Sequence, residues 1–349
     1  MIKKVIKFLL IIFLILATVI FYLSFFGLQT NKFNNQINSN ILKINNKINL
    51  DLSDVNYLLN PFDFTVNIKT KNPQILLEGK SLQIKDIQTN VSLKSLINNQ
   101  FSIDDLQIST KDIKLNDIIL LARKLHNSPQ LYVLDTIIKD GLINANINLN
   151  FNKSGKIKEN YKIEGYVKKA ELNILNQAKL QNLYFNFNIN KNIYSFKKVS
   201  TEFNNIKITS PLIGIDKKKN SFFVNGQLLS EKKNFNVKEF EPFFSNLLKT
   251  IDLQKLTFSS KNNFSFNVNR KFKFKDFKVE TTVDLNQLII NEKRFKLKKY
   301  FPNFSEKIKL EKHKIIINYD KNKFDIKGNG YILLKEKSDE LSYQISKKK

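Results

Sequence analysis

The sequence predicts a mainly β protein that has an N-terminal transmembrane helix, a long, curved antiparallel β-sheet and a few short helices. Three observations support this fold class. Residues 5–27 form one apolar run, most of the remaining chain alternates apolar with polar residues, and a short hydrophobic pattern recurs in several segments. Strict two-residue alternation is typical of antiparallel strands that have one dry and one solvated face.

The apolar run is the predicted membrane anchor, residues 1–28. No charge interrupts it from Phe8 to Leu23, and at about 1.5 Å per residue it spans a hydrocarbon core of roughly 30 Å. A signal peptide has a shorter apolar region and a small-residue cleavage site, and no A-x-A site follows here. The chain has no cysteine, which excludes lipoprotein processing. We expect an uncleaved, single-pass signal anchor.

The distribution of lysines predicts the orientation. Lys3, Lys4 and Lys7 precede the anchor, whereas Lys32 is the only lysine within fifteen residues after Gly27. Positive charge stays on the cytoplasmic side, so the main domain is expected outside the cytoplasm. In a bacterium this places the anchor in the inner membrane and the domain in the periplasm.

The amino-acid composition limits the classes of binding partner and site. The net charge is +27, but only three of the 58 basic residues are arginines. Nucleic-acid readers favour arginine, because its planar guanidinium makes paired contacts to bases and phosphates. Abundant Lys, Asn, Ile and Phe indicate an AT-rich genome rather than a nucleic-acid partner, although attraction to anionic headgroups fits the charge too. The absence of cysteine excludes disulfides, thiolate metal sites and cysteine nucleophiles.

After the anchor, residues 29–50 form a predicted amphipathic helix or connector. Its apolar residues recur at helical spacing: Phe33, Ile37, Ile41, Ile44 and Ile48. Residues 51–349 form the β-rich domain, as one long unit or two. Later in the chain, helices are expected at 116–126, 131–139 and 240–251. Residues 294–310 are ambiguous, because Pro302 divides them.

Several strands have a dry face that is defined by alternation. The candidate binding residues lie on such faces: Ile147, Leu149, Phe151, Phe185, Phe187, Ile189, Phe266 and Val268. Asparagines occupy the opposite face from Asn144 to Asn150, and because asparagine has low β propensity, burial of the apolar face must stabilise these strands.

A recurring pattern places two apolar residues three apart, followed by a third two residues later. Its copies are Ile103-Leu106-Ile108, Leu180-Leu183-Phe185, Leu253-Leu256-Phe258 and Phe274-Phe277-Val279, with Ile84-Ile87-Thr89 as a looser one. A spacing of three shifts the strand period by one residue, so each copy predicts a β-bulge or tight bend. Repetition of the bend indicates a sheet that curves as similar strands are added.

Catalytic signatures are absent from the sequence. There is no G-x-S-x-G, P-loop, H-E-x-x-H or dinucleotide-binding turn,. The two histidines, His126 and His313, are far apart in the chain and are expected at the surface. Asp104-Asp105 is the most conspicuous carboxylate pair, but it lies inside a copy of the bend pattern, which favours a turn role. We predict a protein that is not an enzyme and has no metal or cofactor.

The order of parts in the first 120 residues carries a family resemblance. An anchor and amphipathic segment precede KINLDLSDVNYLLNPFDFTVNI (47–68), then residues 76–109, in which Ser92-Leu93, Leu96-Ile97 and Ile103-Leu106-Ile108 follow one another. This arrangement resembles the N-terminal module, here about 47–120, of the AsmA-like family, the bacterial relatives of chorein-type bridge lipid-transfer proteins. Asn98-Asn99 stands where the family usually has glycine. The family's C-terminal domain is not recognisable here, which implies a short or divergent member.

The resemblance implies a groove-like sheet with an apolar floor, where acyl chains of a phospholipid or other envelope lipid would lie during outer-membrane biogenesis or homeostasis. The candidate binding residues on the dry faces would then be lipid-facing. Two alternatives remain at this point. One is a membrane-anchored scaffold whose dry faces close into a β-sandwich. The other is an adhesion or assembly partner on the cell surface, which would associate with other envelope proteins. Sequence alternation is the same for an open trough and a filled core.

Overall fold

The computed structural model describes most of the chain. The described residues are 2–32, 34–35, 38–39, 48–53, 55–77, 80–98, 103–125, 128–174, 178–203, 206–235, 252–269, 271, 273–291, 297–300, 302, 307–334 and 337–348. Its strands form one long antiparallel sheet, which is open rather than closed. A few helices accompany it, and the predicted fold class is confirmed.

The chain divides into two compact units. Unit 1 comprises Met1–Asp135, Leu142–Tyr166 and Asn188–Lys191, and unit 2 comprises Thr136–Gly141, Val167–Phe187 and Asn192–Lys349.

Unit 1 begins with the apolar helix α1 (Ile2–Phe25), which is long and apolar enough to cross a membrane. Its two aliphatic hydroxyl groups are satisfied within the helix, since Thr18 and Ser24 donate to the carbonyls of Leu14 and Ile20. The helix ends at Phe25, and Gly27 follows it with a φ of +71°. A Cβ there would lie 2.7 Å from the carbonyl oxygen of Tyr57, so only glycine fits this close approach.

Short strands and helices follow α1 in unit 1. They are β1 (Leu28–Thr30), β2 (Ile48–Asp51), β3 (Val55–Asn60), β4 (Thr65–Lys71), β5 (Gln74–Leu77), β6 (Lys80–Ser92), α2 (Leu93–Ile97), β7 (Ile103–Thr110), β8 (Ile113–Lys114) and α3 (Leu115–Leu125). The pairing runs β1–β3–β4–β6–β7, while β2 and β5 extend from the other end of β6.

The small core of unit 1 lies under α3. Leu82, Ile84 and Ile113 are buried there, and α3 contributes Ile118 and Leu121 to the cluster. The helix therefore covers one end of the apolar sheet face, whereas residues further along the same face are only half-buried.

The chain continues with α4 (Pro129–Ile137) and longer strands. These are β9 (Ile138–Asn150), β10 (Lys162–Ile174), β11 (Ala178–Asn190), β12 (Ile193–Phe203), β13 (Ile206–Lys217), β14 (Ser221–Phe235), β15 (Asp252–Asn269), β16 (Phe274–Asn291), α5 (Leu297–Tyr300), β17 (Lys307–Tyr319), β18 (Lys323–Leu334) and β19 (Lys337–Lys348). In unit 2, each strand from β12 to β18 pairs antiparallel with the next along the chain.

Side-chain caps close two of the tight turns in unit 2. Asn269 Oδ1 accepts hydrogen bonds from the backbone of Lys271 and Lys273, and Asp320 Oδ1 accepts them from Asn322 and Lys323. Asparagine and aspartate favour such turns because their side chains bond backbone two or three residues on. Local turn chemistry thus sets the hairpin connections.

The helix predictions have mixed outcomes. Segment 116–126 matches α3, and 131–139 overlaps α4, although strand β9 already begins at Ile138. The ambiguous segment 294–310 contains the short α5 and the start of β17. The predicted helix 240–251 lies outside the described residues, as do Phe33, Ile37, Ile41 and Ile44 of the connector, whose two ends form β1 and β2.

The predicted bends are confirmed. Register shifts occur at Lys85, Asp104, Gln254 and Asp276, each between the first two apolar residues of a pattern copy. In the remaining copy, Asn182 has a φ of +53°. The structure adds copies that sequence inspection missed: Val167-Ala170-Leu172, Phe196-Val199-Thr201 and Leu310-His313-Ile315 each have a left-handed lysine before the central residue, at Lys169, Lys198 and Lys312.

Candidate functional site

Six aromatic side chains form a row across four neighbouring strands of unit 2. This aromatic row consists of Phe264 and Phe266 of β15, Phe274 and Phe277 of β16, Tyr319 of β17 and Phe324 of β18, with ring centroids 5.3 to 6.5 Å apart between successive partners. Strand register explains the row, because Phe264 lies opposite Val279, and Val279 opposite Tyr319, on one face of the sheet.

The aromatic row is open to its surroundings. Phe274 is 65% exposed, Phe277 42% and Tyr319 40%. Scattered apolar side chains are normal on protein surfaces, but a contiguous apolar patch marks a binding or membrane-interaction surface. The row is therefore the strongest candidate site in the described part of unit 2.

The other end of the same face is buried. Its inner cluster consists of Phe235, Phe258, Leu285 and His313; Leu285 is 5% exposed and His313 1%. The rings of Phe235 and Phe258 are 4.4 Å apart, and Leu285 pairs with both Phe258 and His313. The same strands thus carry an open apolar region and a closed one.

Aligned bulges separate these two ends. Extra residues interrupt the ladder around Lys232 in β14, at Asn286 in β16 and at Lys312 in β17. Lys232 Nζ donates a 3.0 Å hydrogen bond to Asn286 Oδ1, which ties two of the bulges together. Because a bulge bends its strand and increases the local twist, this alignment bends neighbouring strands of unit 2 at the same level.

A polar belt crosses the face between the aromatic row and the inner cluster. The hydroxyls of Ser230 and Ser260 are 2.9 Å apart, Asn262 Nδ2 donates to Ser260, and Thr281 donates to Asn262 Oδ1. These groups satisfy one another, so their partial burial does not carry the penalty of unpaired polar atoms.

The opposite face of unit 2 is polar and internally hydrogen-bonded. Gln227 donates to Asn263 across β14 and β15, and Asp325 of β18 accepts hydrogen bonds from Ser346 and Gln344 of β19. The bond from Ser346 is the main reason why the pKa of Asp325 is lowered. One wet and one dry face are therefore clear in the register.

The candidate lipid-facing residues lie on dry faces in both units. In unit 1, Ile147 pairs with Ile108 and Leu149 with Leu106, while the neighbouring asparagines of β9 face Gln107 and Ser109. Phe151 follows β9, and its backbone N–H donates to the carbonyl of Asp104. Ile189 of β11 also belongs to unit 1 and is half-buried.

In unit 2, the candidates form two groups. Phe185 contacts the rings of Phe187 and Phe196 at centroid distances of 6.4 and 5.4 Å, and Phe187 is the one buried candidate. Phe266 lies in the aromatic row, and Val268 pairs with Phe222 on the same face. Their contact with lipid stays a prediction.

Sequence reasoning missed how far the aromatic row extends. The signal was present, since Phe274 and Phe277 belong to a bend copy and Tyr319 to an alternating strand, but alternation does not show which dry residues stay exposed.

His313 was expected at the surface, which is wrong. Its Nε2 lies 3.0 Å from the carbonyl oxygen of Tyr331, because the bulge at Lys312 turns His313 onto the apolar face. His126 lies outside the described residues.

The carboxylate pair Asp104-Asp105 lies at a bulge and within a side-chain hydrogen-bond network. Asp104 is the bulge residue of β7, and Asp105 Oδ1 accepts a 2.8 Å hydrogen bond from Asn90, which itself accepts one from Asn67. Among the described residues there is no group of three or more His, Cys, Asp or Glu that could hold a metal ion.

Comparison with known proteins does not identify a family for this chain. No family model matches this chain, and neither a curated protein nor a solved structure matches it.

Proposed function

We propose that this chain is a membrane-anchored envelope protein that binds or conducts lipids along the apolar face of its β-sheet, as an AsmA-like protein would. One observation carries the proposal: the aromatic row of unit 2 is contiguous, apolar and open on a sheet that does not close. α1 supplies the anchor that such a protein needs.

The physical basis is non-specific burial of acyl chains. Each CH2 group that leaves water contributes about 0.8 kcal/mol, so about ten carbons laid along the row contribute about 8 kcal/mol against the cost of ordering the bound lipid. No polar recognition is required for the tail, and lipid headgroups stay wet beyond the edge of the face. The closed-sandwich scaffold is less well supported, because its second layer would bury Phe274 and Phe277.

The test places a charge on the row and, as a matched control, on the residue beside it. Phe277→Asp alters the apolar face, whereas Lys278→Asp alters the polar face of the same strand. The full-length protein in detergent is titrated with a phospholipid that carries a fluorophore on its acyl chain. A phenylalanine side chain that the bound lipid covers contributes about 1.5–3 kcal/mol. Its loss in Phe277→Asp therefore predicts roughly 10- to 100-fold weaker binding.

Equal binding by Phe277→Asp and Lys278→Asp would reject the proposal, and so would absence of binding by the natural chain. Circular dichroism of both variants shows whether each is folded. A folded Phe277→Asp protein with normal lipid binding favours the scaffold function.

The proposed location is the bacterial inner membrane, with the β-rich domain in the periplasm. The chain has no natural cysteine, so Asn146→Cys, on the exposed polar face of β9, gives a single reactive thiol. It should react with a membrane-impermeant reagent once the outer membrane alone is permeabilised. Labelling that requires inner-membrane lysis would reverse the topology.

A further inference from the structure

The hairpin of β3 and β4 extends beside the membrane-spanning part of α1. β1 follows directly after α1 and pairs antiparallel with β3, with Leu28 opposite Tyr57. Beyond Tyr57, β3 therefore runs back toward the N-terminal end of α1, and the two elements pack against each other. From Leu58 to Asn60 the strand rises about 7 Å at roughly 3.3 Å per residue, and the turn at residues 61–64 follows it.

The tip of this hairpin presents two phenylalanines outward. Phe62 is 93% exposed and Phe64 66%, although both belong to an ordered turn. Asn60 Oδ1 accepts hydrogen bonds from the backbone N–H groups of Phe62 and Asp63, and Phe64 adopts a left-handed φ of +53°. The turn thus keeps two large apolar side chains largely exposed.

An apolar cleft of about 740 Å³ lies between this hairpin and α1. Helix side chains form one wall and the hairpin forms the other, including Leu16, Ile20, Phe21, Leu58, Leu59 and Phe62. The volume is within the range of about 300–1,000 Å³ that is typical of ligand sites. Because one wall is the exposed face of a helix that would lie in hydrocarbon, the cleft opens onto acyl chains rather than water.

We infer that the β3–β4 tip inserts into the membrane leaflet on the domain side, and that the cleft holds one acyl chain of a bilayer phospholipid. This inference rests on the proposed membrane anchoring. Asp63 is the one charged residue of the tip, and its carboxylate accepts a hydrogen bond from Asn60 Nδ2. That charge favours a position near the headgroups, so we expect the tip in the outer part of the acyl region.

Insertion is tested with a single tryptophan, since the natural chain has none. Phe62→Trp and the control Lys153→Trp, at an exposed residue of another turn in unit 1, are prepared as full-length protein in phosphatidylcholine nanodiscs. Emission from Phe62→Trp should shift to the blue, lose most of its intensity when the acyl chains are brominated near the headgroup, and resist aqueous acrylamide. Lys153→Trp should show the reverse.

Occupancy of the cleft is tested by photo-crosslinking from Leu58 and, as a control, from Leu10, which is exposed on α1 and would face bulk lipid. Benzophenone at Leu58 should still form a one-phospholipid adduct after transfer to detergent, whereas the adduct at Leu10 should be lost. Equal loss at both positions would reject a bound acyl chain.

These results separate the inference from the proposed function. Protein that resists carbonate extraction while Phe62→Trp emits as in water would overturn hairpin insertion and leave the anchor intact. Release of the protein by carbonate would overturn both.

Discussion

The two ends of one apolar face in unit 2 differ in exposure although β15, β16 and β17 contribute to both. In the aromatic row, Phe277 and Tyr319 remain open, whereas Leu285 and His313 in the inner cluster are almost fully buried. Residue type does not explain the difference, because a histidine is buried where phenylalanines are exposed. The comparison shows that strand geometry, more than hydrophobicity, decides which part of the face is closed.

The geometric difference is the alignment of bulges. Three strands, β14, β16 and β17, have bulges at one level near the inner cluster, whereas the aromatic row has one bulge, at Asp276. Each bulge bends its strand, so aligned bulges bend several strands together and bring their side chains closer. Gly330 illustrates the result, because its missing side chain leaves room for the His313 ring. The ring of Tyr343 lies 6.0 Å from His313 and completes this closed region.

The largest effect is expected from charge placed at the two ends. Leu285→Asp buries a carboxylate without a partner and should lower the free energy of unfolding by about 3–5 kcal/mol. Phe277→Asp leaves its carboxylate hydrated, so its cost should stay below about 1 kcal/mol. Urea unfolding followed by circular dichroism measures both, and equal losses would contradict the comparison.

A smaller loss of stability is expected at Gly330, where the inner cluster leaves no room for a side chain. In Gly330→Ala, the new Cβ would lie 2.4 to 2.6 Å from the ring and Cα of His313, and overpacking of this kind costs about 1–3 kcal/mol. In the control Gly214→Ala, the Cβ would meet only the movable end of Asn225. If both variants have the same melting temperature, the tight packing of the inner cluster is disproved.

The bulge itself is tested at Lys312, whose φ is +50°. A β-branched residue strains this left-handed conformation, so Lys312→Val should cost about 1–3 kcal/mol. Lys312→Gly should stay within about 1 kcal/mol of the natural chain. Lys314→Val, two residues on at an exposed strand position, is the control and should be tolerated, since valine favours strands.

The smallest effect concerns the edge strand β19 and pH. Hydrogen bonding from Ser346 lowers the pKa of Asp325 from its ordinary 3.8, so the folded state favours the carboxylate. The resulting stability is present above that value and is lost as the pH falls through the lower folded-state pKa. Between about pH 5 and 1, the natural chain should lose more stability than Asp325→Asn. If both proteins lose the same amount of stability as the pH falls, this role of Asp325 is contradicted.

Much of the fold was predictable because its signals are local. Ile147 and Leu149 lie on one face of β9 as alternation predicts, and Asp104, Gln254 and Asp276 are bulges at the predicted positions. His313 was misplaced because its strand contains a bend copy in which histidine stands at the second apolar position. A pattern defined by apolar residues alone does not detect it.

The sequence by itself determined a membrane-length apolar helix, the alternation of each strand and the sites of several bends, because these depend on residues a few positions apart. Only the tertiary structure decided which part of the dry face stays open and which closes around His313. That outcome depends on the alignment of bulges across β14, β16 and β17, strands that are separated by up to about 80 residues. No two-residue or three-residue period encodes that alignment, since register between strands is set by their packing together.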